Sequence, residues 1–187
     1  MPRPRSVSDA TVLDAALEIV HRSGPAALSF AALATASGLA GSTIVQRFGS
    51  KDGLLRATLT RAWDRLDAST AAAITAASLD AAGVVDLFVA LTGHYDPDDF
   101  ADQLLVLRED FRDPILRQRG ERWISTLADA VDDRLAGAAR RDVRLGALLV
   151  AQWQGTLTVW GFTRAAPLPE MVRSAIEQLL ARELIAG

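Results

Sequence analysis

The stretch SFAALATASGLAGSTIVQRFGSK, from Ser29 to Lys51, decides the fold of this 187-residue chain. Ser29 carries a hydroxyl suited to cap the start of a helix, and Gly38 can take the positive φ with which helices commonly end. A second short helix follows, in which Ile44 and Phe48 lie four residues apart on one apolar face. The pattern therefore predicts two short helices joined by a tight turn.

The opposite face of this second helix carries small polar, amide and guanidinium groups, which suit a DNA major groove. We expect Gln46 and Arg47 to read base edges, because Gln pairs with adenine and Arg with guanine. Val45 cannot hydrogen-bond and can only touch a thymine methyl group. The residues expected near the DNA backbone or base edges are Gly41 and Ser42.

With its flanks, this stretch resembles the DNA-binding domain of the TetR family of transcriptional regulators. The resemblance covers roughly Val7 to Leu59, where four segments follow the order of the family: VLDAALEIVHRSG, SFAALATASGLA, STIVQRF and GSKDGLL. It implies that the hydroxyls of Ser29 and Thr43 and the ammonium group of Lys51 contact phosphate.

Two positions depart from the family pattern. Members commonly carry Tyr where this chain has Val45, and that Tyr often reaches the DNA backbone, so one contact is in doubt. A Ser or Thr cap is replaced by Ala40, which leaves Gly41 or Ser42 as the start of the recognition helix.

The formal net charge of −3 is divided unevenly along the chain. Residues 1–65 contain eight Lys or Arg and five Asp or Glu, a balance of +3, whereas residues 66–187 contain twelve and eighteen, a balance of −6. The basic excess therefore lies on the part predicted to bind DNA. Arg3 and Arg5 could add contacts in a flanking minor groove, or they could belong to a frayed tail.

The rest of the chain has helical periodicity almost throughout, which predicts an all-α fold. We expect a helix-turn-helix DNA-binding domain of three helices over residues 1–50, followed by a helical effector-binding and dimerisation domain over residues 51–187. The further helices are predicted over residues 51–77, 79–94, 100–111, 115–135, 141–162 and 169–185.

No charged residue occurs from Leu145 to Thr163, a length that could cross a membrane. The glutamines, threonines and glycines in this run favour a helix buried on nearly all sides instead. In proteins that resemble TetR, the last two helices of each subunit form the dimer. We therefore expect a homodimer through Val172, Ile176 and Leu179. The alternative is that both helices fill a monomeric core.

The C-terminal part contains enough aromatic residues to line an effector pocket, with a few polar groups for orientation. The resemblance implies a small-molecule effector there, and an apolar or aromatic molecule fits these side chains best. The candidate ligand-binding residues are Phe88, His94, Tyr95, Leu104, Arg108, Trp123 and Trp153.

Catalytic and metal-binding motifs are not found, so we expect neither an enzyme nor a cofactor. The chain has no Cys, and no apolar run follows its basic start, which favours a cytoplasmic protein without a signal peptide. The leading hypothesis is a dimeric repressor released from operator DNA by a small molecule. The alternatives are a helical small-molecule carrier or enzyme, and a regulator controlled by a partner protein.

Overall fold

The computed structural model describes residues 7–93, 95, 100–136 and 144–185, without the side chains of residues 101, 102, 184 and 185. All regular structure in these ranges is helical, which confirms the all-α prediction. A 3-10 turn covers Pro25–Ala27. The helices α1 to α9 span Asp9–Ser23, Phe30–Ser37, Gly41–Phe48, Lys51–Ala76, Ala81–Ala90, Phe100–Arg112, Pro114–Leu135, Gly146–Thr163 and Leu168–Ile185.

The turn between α2 and α3 has the geometry predicted from its residues. The Oγ atom of Ser29 accepts a hydrogen bond of 3.1 Å from the backbone N–H of Ala32, and so caps α2. Gly38 ends α2 in the left-handed region, at φ 69°. Helix α3 begins at Gly41 after Ala40, which provides no side-chain cap.

Compact packing divides the chain into two units. The first contains residues 1–66 and 98–119, and the second contains residues 67–97 and 120–187. The first unit thus extends beyond residue 50 and includes a later segment of the chain. The domain boundary at residues 50/51 stays a prediction from the sequence.

The first unit buries one apolar core beneath the helix-turn-helix. Leu33 of α2 and Ile44 of α3 pack in it against α1, α4 and the start of α7. Because the short helices α2 and α3 are not stable alone, this shared core holds the outer face of α3 in place. The fully buried members are Val12, Ala16, Val20, Leu28, Leu33, Ile44, Leu54, Leu59 and Leu116.

Ion pairs join α1 and α4 within the first unit. Asp14 of α1 pairs with Arg61 at 2.9 Å and with Arg65 at 2.8 Å. The hydrogen bond from Arg61, followed by the charges of both arginines, outweighs desolvation and lowers the pKa of Asp14. Because these ion pairs are partly exposed, they contribute little to stability and mainly orient α1 relative to α4.

In the second unit, α9 packs against α5 and α8. Helix α8 begins at Gly146, later than the predicted residue 141; residues 141–143 lie outside the described part of the chain. A Cβ atom on Gly146 would lie 2.1 Å from the carbonyl oxygen of Ala128, so α8 can approach α7 this closely only with glycine at that position.

Helix α5 is shorter than predicted, covering Ala81–Ala90 rather than residues 79–94. The side chain of Asp80 accepts a 2.8 Å hydrogen bond from the N–H of Gly83, and so starts the helix two residues later. Among the described helices, none is both long and apolar enough to cross a membrane.

Candidate functional site

Helix α3 presents a polar outer face opposite its buried anchor. Ile44 has no exposed surface, whereas Ser42, Val45 and Gln46 are exposed. A helix with this division can enter a major groove while its inner side remains in the core. The structure thus leaves the amide of Gln46 free of the subunit core, as base reading requires.

The three residues expected to contact phosphate lie around this helix. The Ser29 hydroxyl accepts the N–H of Ala32, which leaves its hydrogen available to donate. Thr43 is partly exposed in the first turn of α3. Lys51 is exposed at the start of α4, and its Nζ lies 3.3 Å from the carbonyl oxygen of Ala26.

Arg47 has contacts that sequence reasoning missed. Its Nη1 donates to the carbonyl oxygen of Val7 at 2.8 Å and to Oδ1 of Asp9 at 3.0 Å. The Arg47 side chain is only 23% exposed, so its guanidinium group is held against the start of α1. No local pattern predicts this contact, because the partners lie about forty residues earlier in the chain.

The connection between α3 and α4 depends on a close backbone approach. A Cβ atom on Gly53 would lie 2.4 Å from the carbonyl oxygen of Phe48, the last residue of α3. Lys51 is in the same first turn of α4 as Gly53. The glycine therefore helps to set the position of Lys51 beside the recognition helix.

Three of the predicted ligand-binding residues meet in the second unit. The ring centroids of Phe88 and Trp153 lie 6.0 Å apart, and so do those of Trp123 and Trp153. The indole N–H of Trp123 donates to Oγ1 of Thr70 on α4 at 2.8 Å. We call Phe88, Trp123 and Trp153 the aromatic cluster.

The other predicted ligand-binding residues are placed differently. Tyr95 follows α5, and burial raises the pKa of its phenol. His94 lies outside the described residues. Leu104 and Arg108 belong to the first unit and are exposed on α6, where Arg108 Nη1 pairs with Glu109 Oε1 at 2.5 Å.

The residues predicted for the dimer interface divide between core and surface. Val172 and Ile176 have no exposed surface in the single chain, so they pack within the subunit. Leu179 is partly exposed at a groove of about 770 Å³ between α8 and α9. The sequence prediction did not distinguish the inner side of α9 from its outer side.

The outer side of α8 continues this surface. Leu148 and Val159 are 46% and 52% exposed, and Phe162 is 88% exposed. Gln152 and Gly155 lie on the same stripe and line the groove with Val159. An exposed apolar stripe of this kind is typical of an interaction surface.

The first unit also contains a buried carboxyl group, that of Asp110. Asp110 is 8% exposed and accepts a 3.1 Å hydrogen bond from the indole N–H of Trp63. Burial, aided by the charges of Asp113 and Glu109, raises the pKa of Asp110 to about 6. Within the described residues, no group of three or more His, Cys, Asp or Glu side chains could hold a metal ion.

Residues 12–58 match the family model described as bacterial regulatory proteins, tetR family. No match was found among curated proteins. A transcriptional regulator from Rhodococcus sp. Rha1 shares 17% identity over 96% of this chain and 97% of its own, with a TM-score of 0.76.

Two further solved structures have the same fold. The TetR family transcriptional regulator PfmR from Thermus thermophilus is 20% identical over 91% of this chain and 97% of its own, with a TM-score of 0.63. The multidrug binding protein EbrR, solved with proflavin, is 20% identical over 90% and 96%, also with a TM-score of 0.63. At these identities the likeness concerns the fold.

Proposed function

We propose that this protein is a ligand-responsive repressor that binds operator DNA as a homodimer, because residues 12–58 match the model of the tetR family of bacterial regulatory proteins. The observation that carries this proposal is the outer face of α3, where Ser42, Val45 and Gln46 are exposed above a fully buried Ile44. Since the protein acts on DNA, we expect it in the cytoplasm.

Recognition divides between base reading and backbone contacts. Gln46 makes a bidentate pair with adenine, and Val45 lies against a thymine methyl group. Ser29, Thr43 and Lys51 contact phosphates around the recognition helix, while Gly41 and Ser42 lie near the DNA backbone at its start. The phosphate contacts position α3 and the Gln46 contact supplies specificity.

Dimerisation uses the exposed stripe of α8 together with the outer side of α9. Val159 and Phe162 of α8 and Leu179 of α9 are apolar groups that a partner subunit would remove from water. A two-fold dimer also supplies the second recognition helix that a symmetric operator requires.

The effector binds among the helices of the second unit, with the aromatic cluster as its apolar contact. That EbrR was solved with proflavin, a flat aromatic compound, supports this class of ligand. Helix α4 runs without a break from Lys51 to Ala76, and Thr70 near its end bonds to the aromatic cluster. A ligand that prefers one tilt of α4 changes operator affinity through its different affinities for the two states.

Selection of bound sequences from a random double-stranded DNA library tests the DNA-binding function. The selected duplex should bind with an affinity that falls steeply as salt rises. Gln46→Ala should lose preference at one base position per half-site, at a cost of about 1–3 kcal/mol for the cognate duplex. A protein that selects no sequence and has no salt-dependent affinity would instead be a helical carrier or enzyme.

A further inference from the structure

The indole N–H of Trp153 is a hydrogen-bond donor that no described residue satisfies. Trp153 is 2% exposed, and its Nε1 has no hydrogen-bond partner in the described part of the chain. Nearly all buried donors in folded proteins are paired, because an unpaired donor loses its bond to water without replacement. This N–H therefore calls for an acceptor that the described residues do not supply.

The neighbours of Trp153 within the aromatic cluster cannot supply that acceptor. Its ring lies against Phe88, which has no polar atom, and against Trp123, whose own N–H is taken by Thr70 at 2.8 Å. A lone water molecule needs two to four polar partners, which these rings do not offer. The aromatic cluster thus combines apolar ring surface with one unused donor.

Trp153 differs from the buried side chains of Trp160 and Arg134 in having no hydrogen bond at all from its donor group. Trp160, two turns further along α8, donates to the carbonyl oxygen of Ala166 at 3.2 Å. Arg134 also has a buried unpaired atom, Nε, but its other nitrogens donate to the carbonyl oxygens of Ala130, Ile74 and Ala77. Arg134 therefore binds the last turn of α4 and needs no ligand to explain its burial.

We propose that the effector is a flat, uncharged aromatic molecule with a hydrogen-bond acceptor, a carbonyl oxygen or a ring nitrogen, and that the acceptor binds the indole N–H of Trp153. This proposal rests on the proposed function and specifies the ligand of its effector site. The rings of Phe88 and Trp123 favour a planar apolar body. An anion is disfavoured because these rings cannot replace its hydration, and an uncharged acceptor suits the N–H of Trp153 better than a cation, which that donor would repel.

Two compounds of equal shape test the acceptor. Quinoline and naphthalene differ only in that quinoline has a ring nitrogen, which is uncharged at pH 7.5. Isothermal titration of the full-length protein with each should give about tenfold tighter binding of quinoline, from the bond to an otherwise unpaired donor. Equal affinities, or no binding of either compound, would overturn the proposal and make the aromatic cluster a closed core.

Two variants test whether the preference for quinoline over naphthalene comes from the side chain of Trp153. Trp153→Phe keeps an aromatic ring and removes the N–H, so it should lose the preference for quinoline. Naphthalene should then bind at least as tightly, because the ring nitrogen of quinoline is left unpaired. Trp160→Phe is the matched control on the same helix and should keep the tenfold preference. A preference that survives in Trp153→Phe would contradict the assignment, and the comparison in the unaltered protein stands even where a variant fails to fold.

The DNA-binding measurement on the same protein separates this proposal from the proposed function. Salt-dependent binding to the selected duplex without a quinoline preference would reject the effector assignment alone. A quinoline preference that depends on Trp153 without DNA binding would reject the regulator and leave a small-molecule binding protein.

Discussion

Arg47 of the recognition helix is bonded to Asp9 at the start of α1, with 3.0 Å between Nη1 and Oδ1. The same nitrogen donates to the carbonyl oxygen of Val7 at 2.8 Å. The sequence predicted that Arg47 reads a base, but this arrangement favours a role in positioning α3. A guanidinium group that is held by α1 can fix the end of the recognition helix without touching DNA.

Arg47→Ala should therefore weaken binding to all DNA sequences alike and keep the base preference. We expect a loss of about 1 kcal/mol in the free energy of unfolding, from one partly exposed ion pair and one hydrogen bond. Sequence profiling of bound DNA, with Gln46→Ala as the comparison, measures the preference. Loss of preference at a single base position in Arg47→Ala would restore the base-reading role.

Lys51→Ala should reduce the salt dependence of DNA binding. If each Lys51 neutralises one phosphate, the slope of log K against log salt should become shallower by about 0.9 per protomer, or about two for a dimer. Cognate and random duplexes should be affected equally. Fluorescence anisotropy over a series of salt concentrations measures both slopes.

Arg122→Ala is the matched control for Lys51. Arg122 is an exposed residue of α7 in the second unit, and its removal changes the net charge equally. We expect the slope to stay unchanged in this variant. A similar decrease in both variants would mean that overall charge, rather than a phosphate contact of Lys51, sets the salt dependence.

Local residue chemistry was sufficient to predict most of the fold. Ser29, Gly38 and the spacing of Ile44 and Phe48 predicted the helix-turn-helix, because caps and turns depend on nearby residues. The contact of Arg47 with Val7 could not be predicted in this way. It depends on how α1 packs against α3, which local periodicity does not specify.

The candidate sites were harder to predict for the same reason. The sequence predicted both Ile176 and Leu179 at the dimer interface, but only packing decides that Ile176 is internal and Leu179 partly exposed. Asp110 follows Glu109 in a charged stretch of sequence, yet it is buried and accepts a hydrogen bond from Trp63 on another helix. In each case a residue distant in sequence determines the environment.

Leu179→Glu and Val159→Glu should convert the dimer to a monomer without unfolding the subunit. Both side chains reach the surface beside the α8–α9 groove, so a carboxylate is solvated in the monomer but buried in the interface. Analytical ultracentrifugation gives the mass, and thermal unfolding checks the fold. Operator affinity should fall with the loss of the second recognition helix.

Two control variants show whether the loss of the dimer is specific to the α8–α9 surface. Ile176→Glu should unfold the subunit, since a charge in the core costs several kcal/mol, about the whole stability of a domain. Leu79→Glu, at an 80% exposed site before α5, should remain dimeric. If Leu179→Glu and Val159→Glu both remain dimeric, the interface lies elsewhere on the chain.

Thr70→Val should separate effector binding from DNA release. The change keeps the shape of the side chain but removes the hydroxyl oxygen that accepts the N–H of Trp123. Quinoline should still bind, but should release the selected duplex less effectively than from the unaltered protein. Competition titrations with labelled duplex measure release, and direct titration measures binding.

Thr58→Val controls for the loss of a buried threonine hydroxyl on α4. Thr58 donates only to the carbonyl oxygen of Leu54 in its own helix. Release should therefore stay at the level of the unaltered protein. Equal release in Thr70→Val and Thr58→Val would show that the Trp123 bond does not carry the signal to α4.

Asp110→Asn should stabilise the protein at pH 8 and have little effect near pH 4. The raised pKa, about 6, means that the folded protein binds the proton of Asp110 more tightly than the unfolded chain does. This contribution to stability is present at low pH and is lost as pH rises from about 4 to about 6. Asn cannot ionise and can still accept the bond from Trp63, so the variant avoids a loss of at most about 3 kcal/mol.

Asp113→Asn should behave in the opposite way and so serves as the control. Burial tends to raise the pKa of Asp113, but hydrogen bonds from Arg56 and from the N–H groups of Ile115 and Leu116 outweigh it and lower the pKa. Its contribution is present at neutral pH and is lost as pH falls through the lowered value. Asp113→Asn should thus destabilise at pH 8, as measured by urea unfolding at both pH values. If Asp110→Asn instead lowers stability at pH 8, the carboxylate is stabilised in the fold and the raised pKa is contradicted.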